Sequence, residues 1–254
     1  MTEIPPVAIV TGAGRRIGKA IAEDLAAHGW AIAIHYNRSR IEAESVAAGI
    51  AKSGGRAALF QADLADVSAL APAVNEIAAI LGKPSLLVNN ASTFVDDSGG
   101  ALDPGVVHRQ MSVNLTAPIF LAQAFAAALP DGVEGNVVNL VDQSVWKPTP
   151  RHFSYQLSKV ALWEATRMLA QSLAPRVRVN AIAPGPTLRH AAQTEAEFAA
   201  RIDTVLLKRG PVLTEFGNTI RYLVENRSIT GQMIGLDGGQ HLAWETPDVA
   251  ELDT

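Results

Sequence analysis

Short apolar runs alternate along the chain with longer stretches in which apolar residues return every three or four positions. Val7–Val10, Ala31–Ile34, Ala57–Gln61, Leu86–Val88, the run opening at Asn136, Arg178–Ile182 and Met233–Leu236 have the length of strands. Their near-continuous apolar character is that of strands covered on both faces. Helical periodicity fills the gaps: up to His28-Gly29, Arg40–Lys52, Val67–Leu81, about Gly105–Leu129, a long segment ending near Leu173, and Glu215–Glu225. Strand and helix segments joined by short loops predict right-handed crossovers and an α/β fold, a doubly wound parallel sheet. Residues 188–212 break the alternation with one amphipathic segment, Glu195–Leu207, so residues 186–212 are expected to form a substrate loop and residues 240–254 a C-terminal tail. With no repeat, linker or second apolar core, residues 1–254 are expected to form a single domain.

Composition narrows the function classes. The 254 residues are 48% hydrophobic and 18% charged, as in a compact protein with much buried surface. A net charge of −4 offers no diffuse attraction for nucleic acid or anionic lipid. There is no cysteine, which removes disulfides, thiolate metal sites and thiol nucleophiles. The first residues lack a basic region followed by an apolar core, so the expected location is cytoplasmic. The most apolar helical stretch, Ala117–Leu129, is shorter than the roughly 20 residues of a membrane span. It reads as core or subunit interface.

Candidate chemistry gathers where strands end. After the first strand, Thr11-Gly-Ala-Gly-Arg-Arg-Ile-Gly18 opens a helix. Gly12 and Gly14 allow close backbone approach, and the helix N-terminus can receive a pyrophosphate. After the second strand comes His35-Tyr-Asn-Arg-Ser39, where an acidic residue would hold a ribose diol and an arginine accommodates a 2′-phosphate. Asn37, Arg38 and Ser39 therefore point to NADP, unless Arg38 is only a solvated turn residue. The third strand leads into Asp63-Leu64 and the fourth into Asn89-Asn-Ala-Ser-Thr-Phe94, with Phe94 either stacking on a planar ligand or packing in the core. Asn114 lies within a helical stretch shortly before Pro118, which removes a backbone donor and predicts a kink that frees a carbonyl for water or Lys159. Asp142 lies at the end of the fifth strand, and Tyr155 and Lys159, four apart, share a helix face. That spacing predicts an ammonium that favours the ionised phenol, a tuned general acid.

Taken together in this order, Thr11-Gly…Gly18, Asn89-Asn90-Ala91, Asn114, Tyr155-x-x-x-Lys159 and Pro184-Gly185 give a chain that resembles the short-chain dehydrogenase/reductase family over nearly its whole length. The resemblance implies a Rossmann-like sheet of seven strands with helices on both faces, a nicotinamide cofactor and a homotetramer. It implies that Tyr155 donates a proton, that Lys159 supports it and the nicotinamide ribose, and that Asn114 holds a relay water. On the cofactor it places Gly12, Arg16, Ile17, His35, Asn37, Arg38, Ser39, Asp63, Leu64, Asn90, Ala91, Tyr155, Lys159, Pro184, Gly185 and Thr187. No metal is expected.

Two positions depart from the common pattern: Arg16 stands where most members have glycine, and Asp142 where most have serine. A serine there donates a hydrogen bond to a developing oxyanion, which a carboxylate cannot do. A carboxylate suits a C=N bond that gains a proton as hydride arrives at carbon, unless Asp142 only caps its loop. With Asn90-Ala-Ser-Thr-Phe94, these departures resemble the pteridine reductase branch, in which Arg16, Ser92, Phe94, Asp142 and Tyr155 would contact substrate. The expected function is NADPH-dependent reduction of a pterin or dihydropterin. The alternatives are reduction of another C=N or C=O substrate and a non-catalytic NADPH-binding regulator.

Overall fold

The computed structural model describes residues 5–190 and 193–244. Seven strands, β1 (Val7–Val10), β2 (Ala31–Tyr36), β3 (Ala57–Gln61), β4 (Pro84–Asn89), β5 (Gly135–Leu140), β6 (Val177–Pro184) and β7 (Met233–Leu236), form one sheet in the order β3-β2-β1-β4-β5-β6-β7. Every pairing is parallel. Strand order reverses between β1 and β4, and the crevice beyond their carboxyl ends is where such sheets bind ligands.

Successive strand residues point to opposite faces, so each apolar run feeds two cores. Val7, Ile9, Val137 and Val179 pack with helices α3 (Leu70–Leu81), α5 (Ala117–Ala128) and α6 (Phe153–Leu173). Ala8, Val10, Val138 and Ile182 pack with α1 (Arg16–Ala27), α2 (Arg40–Lys52) and α8 (Leu213–Glu225). The other α-helices among the described residues are α4 (Pro104–Met111), which runs toward α5, and the short α7 (Glu195–Asp203). Arg178, a cation inside β6, is explained by its partners: its guanidinium donates to the carbonyls of Leu223, Val224, Asn226 and Ile229 around the end of α8.

The structure revises two expectations and gives a third its form. β2 continues through His35 and Tyr36 rather than ending at Ile34, which draws His35 into the interior. The segment Glu195–Leu207 is helical only to Asp203. The stretch about Asn114 is irregular as the kink expectation requires, in the form of a π-helix, Ser112–Thr116, linking α4 to α5. Pro118 has no N–H for the carbonyl four residues back, and the ladder re-registers around that gap. The joined helix Pro104–Ala128 is long and apolar enough to cross a membrane, unlike Ala117–Leu129 taken alone. Its Val113, Ala117, Leu121, Ala122 and Phe125 instead pack on the sheet.

Candidate active site

Two loops at the switch point are tied into one wall. The Thr11 hydroxyl accepts the N–H groups of Asn90 (2.9 Å) and Ala91 (3.0 Å), and the Asn90 amide donates to the carbonyls of Thr11 (2.8 Å) and Gly12 (3.3 Å). Gly12 has φ +64°, and a Cβ there would lie 3.0 Å from the Ala91 Cα. A Cβ on Gly18 would meet the Gly12 carbonyl at 2.3 Å, so close packing of the turn on its helix requires that glycine as well. The open N-terminus of α1 faces the resulting cleft, which has a volume of about 660 Å³ and is lined by Gly12, Arg15, Arg16, Ile17, Asn37, Arg38, Ser39, Asp63, Leu64, Asn90, Ala91, Ser92 and Phe94. These residues could hold an elongated dinucleotide: the glycine turn would receive the pyrophosphate, and exposed Arg38, with Ser39 at the N-terminus of α2, would receive a 2′-phosphate.

His35 lines this cleft but has no free ring nitrogen with which to hold a ligand. Its Nδ1 accepts the Gly12 N–H at 3.0 Å and its Nε2 lies 3.1 Å from the Ala62 carbonyl, which sets the neutral tautomer with the proton on Nε2. Burial pushes its pKa down to about 4, and the ring props the glycine turn from beneath. Asp63 is also engaged: Arg109 of α4 reaches it at 2.8 Å and holds its carboxyl below the usual range, and the same carboxylate caps the Ala65 N–H. Arg109 stands 46 residues from Asp63 in sequence, and no local pattern links them.

Arg16 explains its own departure from glycine. Its φ of +54° lies in the left-handed region, at a cost of roughly 1–3 kcal/mol for a side chain other than glycine. The guanidinium reaches across the cleft and donates to the carbonyls of Leu188 and Arg189, both at 3.1 Å. It thereby links the cofactor turn to the loop after β6. Pro184, Gly185 and Thr187 begin that loop; Gly185 packs so closely on Asp237 that a Cβ would lie 2.6 Å from the Asp237 Cα. The tail beyond Trp244 lies outside the described residues.

A smaller cavity of about 260 Å³ adjoins the cleft and contains Arg16, Ser92, Asp142, Tyr155, Lys159, His190, Phe198 and Arg201. The Tyr155 hydroxyl donates to Asp142 Oδ2 at 3.1 Å, while Asp142 Oδ1 accepts the Ser144 N–H at 2.8 Å. Asp142 therefore caps its loop and contacts the phenol at once. Phe94 is 43% exposed and lines the larger cleft rather than the core, and it meets Tyr155 of the smaller cavity edge-on, with ring centroids 4.9 Å apart. His190 and Phe198 bring an imidazole and a second phenyl ring from the loop and α7, neither of which has a motif in the sequence. A third cavity, of about 570 Å³ between α1 and α2 at the opposite edge of the sheet, holds none of the candidate residues.

The electrostatics reverse one expectation. Lys159 is buried, donates to the Leu140 carbonyl at 2.8 Å and sits 5.8 Å from the centre of the Tyr155 ring. Burial lowers its pKa to about 8, so its own charge is weakly held. Burial and then the neighbouring Asp142 raise the Tyr155 pKa well above its ordinary value. The phenol is held protonated, not ionised. Asn114, fully buried, uses its amide on Thr93 N–H (2.8 Å), Thr93 C=O (2.9 Å) and the Ser158 hydroxyl (3.1 Å), and its Oδ1 also accepts from the Ser92 hydroxyl (3.1 Å).

A family model described as enoyl-(acyl carrier protein) reductase matches residues 12–241. The chain belongs to the short-chain dehydrogenase/reductase family. Among relatives, dihydromonapterin reductase of Klebsiella pneumoniae is 29% identical over 94% of this chain and 98% of that protein. Pteridine reductase 1 of Leishmania tarentolae is 30% identical over 95% of this chain and 99% of its own. The crystal structure of FolM alternative dihydrofolate reductase 1 from Brucella canis, complexed with NADP, superposes with a TM-score of 0.93 at 55% identity, covering 97% of this chain and 98% of that one.

For this family member, the buried lysine makes a testable statement about stability. Between pH 8 and 10.5 the unfolded chain keeps a proton on Lys159 that the folded chain has lost. Folded stability attributable to this group therefore rises through that window, and a penalty of roughly 3 kcal/mol is present in full below it. Lys159→Met should melt above the wild type at pH 7, the gap should close between pH 8 and 10.5, and turnover should be lost. A gap that stays constant over that range in thermal melts would contradict the burial argument.

Proposed function

We propose that the protein is an NADPH-dependent reductase of a pterin or dihydropterin. The observation that carries this reading is the hydrogen bond from Tyr155 to Asp142 beside the exposed edge of Phe94. A hydroxyl at position 142 would serve a carbonyl oxygen; the carboxylate serves N–H groups and a nitrogen acquiring a proton. The pterin and folate names of the relatives support the same reading.

When bound, the reduced nicotinamide supplies a hydride to a ring carbon of the substrate. The chain's residues supply the matching proton and the geometry. Tyr155 and Asp142 share one proton and act as a unit, delivering it to the adjacent ring nitrogen. Lys159, anchored on Leu140, keeps a positive group behind the phenol that compensates the charge left on the pair. Phe94 provides a flat apolar wall for a planar ring. Arg16, fastened to the carbonyls of Leu188 and Arg189, ties the start of the proposed substrate loop to the cofactor turn.

The experiment is NADPH oxidation with biopterin, dihydrobiopterin, dihydromonapterin and dihydrofolate. Turnover of at least one is expected, and none of any would overturn the reading. Arg38→Asp should raise KM for NADPH by about tenfold or more through loss of charge-assisted contacts to the 2′-phosphate, with little change for NADH. Equal effects on both cofactors would remove Arg38 from that role.

The reading includes a homotetramer in the cytoplasm. It is supported by the outward apolar side chains of α5 and α6, Phe120 (42% exposed), Leu157 (47%) and Met168 (67%), which exceed the needs of a core-facing stripe. The net charge of −4 favours neither nucleic acid nor anionic membrane as a partner. A mass measurement in solution should give an oligomer at micromolar concentration; a monomer would contradict the assembly.

A further inference from the structure

The geometry points to Gln110 as a positioning residue for substrate: with Asn114 it forms a pair of amide clamps that hold Phe94 in the wall of the cleft, against Tyr155. Gln110 is fully buried in α4, one turn before Asn114. Its Oε1 accepts the Val95 N–H at 3.2 Å, and its Nε2 donates to the Val95 carbonyl at 3.3 Å. Asn114 makes the same two bonds to Thr93, at 2.8 and 2.9 Å. Phe94 is the residue between. The amide nitrogens then repeat the pattern on the other side, Gln110 Nε2 donating to the Ser154 hydroxyl (2.6 Å) and Asn114 Nδ2 to the Ser158 hydroxyl (3.1 Å).

Three spacings make the repeat possible. Gln110 and Asn114 are four apart on one helix, Ser154 and Ser158 four apart on α6, and Thr93 and Val95 two apart in the loop after β4, each turning its N–H and C=O to the helix as alternate residues of an extended segment do. Four helical residues rise roughly 6 Å. Two extended residues span roughly 6.6 Å. The steps match closely enough for each amide to bridge one loop residue and one serine. Side chains alternate faces along extended chain, so gripping the backbone of residues 93 and 95 along one edge fixes the side to which the ring of residue 94 points. That side is where Phe94 meets Tyr155.

The clamp continues past Gln110. The Ser154 hydroxyl donates in turn to the Asp97 carboxylate, Asp97 also accepts the Ser154 N–H at 3.1 Å, and its carbonyl accepts the Phe153 N–H. The loop is thus fixed on both sides of Phe94 to the helix that carries Tyr155. Asn114 alone would fix one side and leave the ring free to swing about Thr93. Gln110 removes that freedom, so the distance from the aromatic wall to the proton donor is set before substrate arrives.

The functional consequence rests on the reading of Phe94 as the wall for a planar substrate, and two measurements separate the two claims. In Gln110→Met, which keeps volume and removes the amide, hydrogen exchange at the Val95 amide should quicken by about tenfold or more while Thr93, still held by Asn114, keeps its wild-type rate. KM for dihydrobiopterin should rise about five- to tenfold with NADPH affinity unchanged. In a Phe94→Ala background the same substitution should change KM less than about twofold, because Gln110 acts through Phe94. Ser154→Ala, which removes only the outer partner, should shift both readouts in the same direction by less, and it stands in if Gln110→Met fails to fold. Unchanged Val95 exchange overturns the clamp. Equal KM effects with and without Phe94 overturn its action through the ring. If the wild type leaves dihydrobiopterin unreduced, the substrate reading fails while the exchange rates still decide the clamp.

Discussion

Placing a carboxylate 3.1 Å from a partly buried phenol constrains everything else in this site. A phenol out of water and beside Asp142 holds its proton firmly, which makes it a poor base and a proton source that acts only when a partner gains basicity during reaction. A ring nitrogen receiving the electrons of a reduced C=N bond is such a partner. The nearby ammonium does not reverse this balance, because burial has weakened its own hold on charge. Asp142 is kept in place by a second bond to the Ser144 N–H, so the group that tunes Tyr155 is itself fixed by the loop it caps.

The scaffold supplies the other coordinates. Strand order reverses between β1 and β4, and the Thr11–Asn90 bonds weld the loops that follow those strands into one wall. His35 props the glycine turn on one side and Arg16 fastens it to the loop after β6 on the other. The unfavourable backbone at Arg16 is the local cost of that link. On the other side of the cavity the π-helix turns Asn114 inward, where its amide grips the loop carrying Phe94.

Much of this was legible in the sequence because it is written in local spacing. Apolar runs and helical periodicity placed all seven strands, and Asp142, Tyr155 and Lys159 line one cavity while Phe94 lines the adjoining cleft and meets Tyr155 edge-on. What escaped was non-local. His35 reads as a turn residue until the extension of β2 puts it under Gly12. The sign of the Tyr155 shift depends on a burial and a carboxylate contact that four-residue spacing does not contain. Arg109 reaches Asp63 across 46 residues, and Gln110 shows its purpose only when residues 93–97 fold over it. Gln110 and Asn114, two uncharged amides one turn apart, were the available signal.

The most direct measurement of the central claim is a pair of steady-state assays on Asp142→Ser, one with dihydrobiopterin and one with an activated diketone, beside a thermal melt. The serine supplies a hydroxyl donor in place of the carboxylate. Pterin turnover should fall by about tenfold or more, the loss of one interaction made in the transition state, while diketone turnover holds or rises. Unchanged pterin turnover would contradict the account, as would an equal loss on both substrates accompanied by a lowered melting temperature, the result expected if Asp142 did no more than cap its loop.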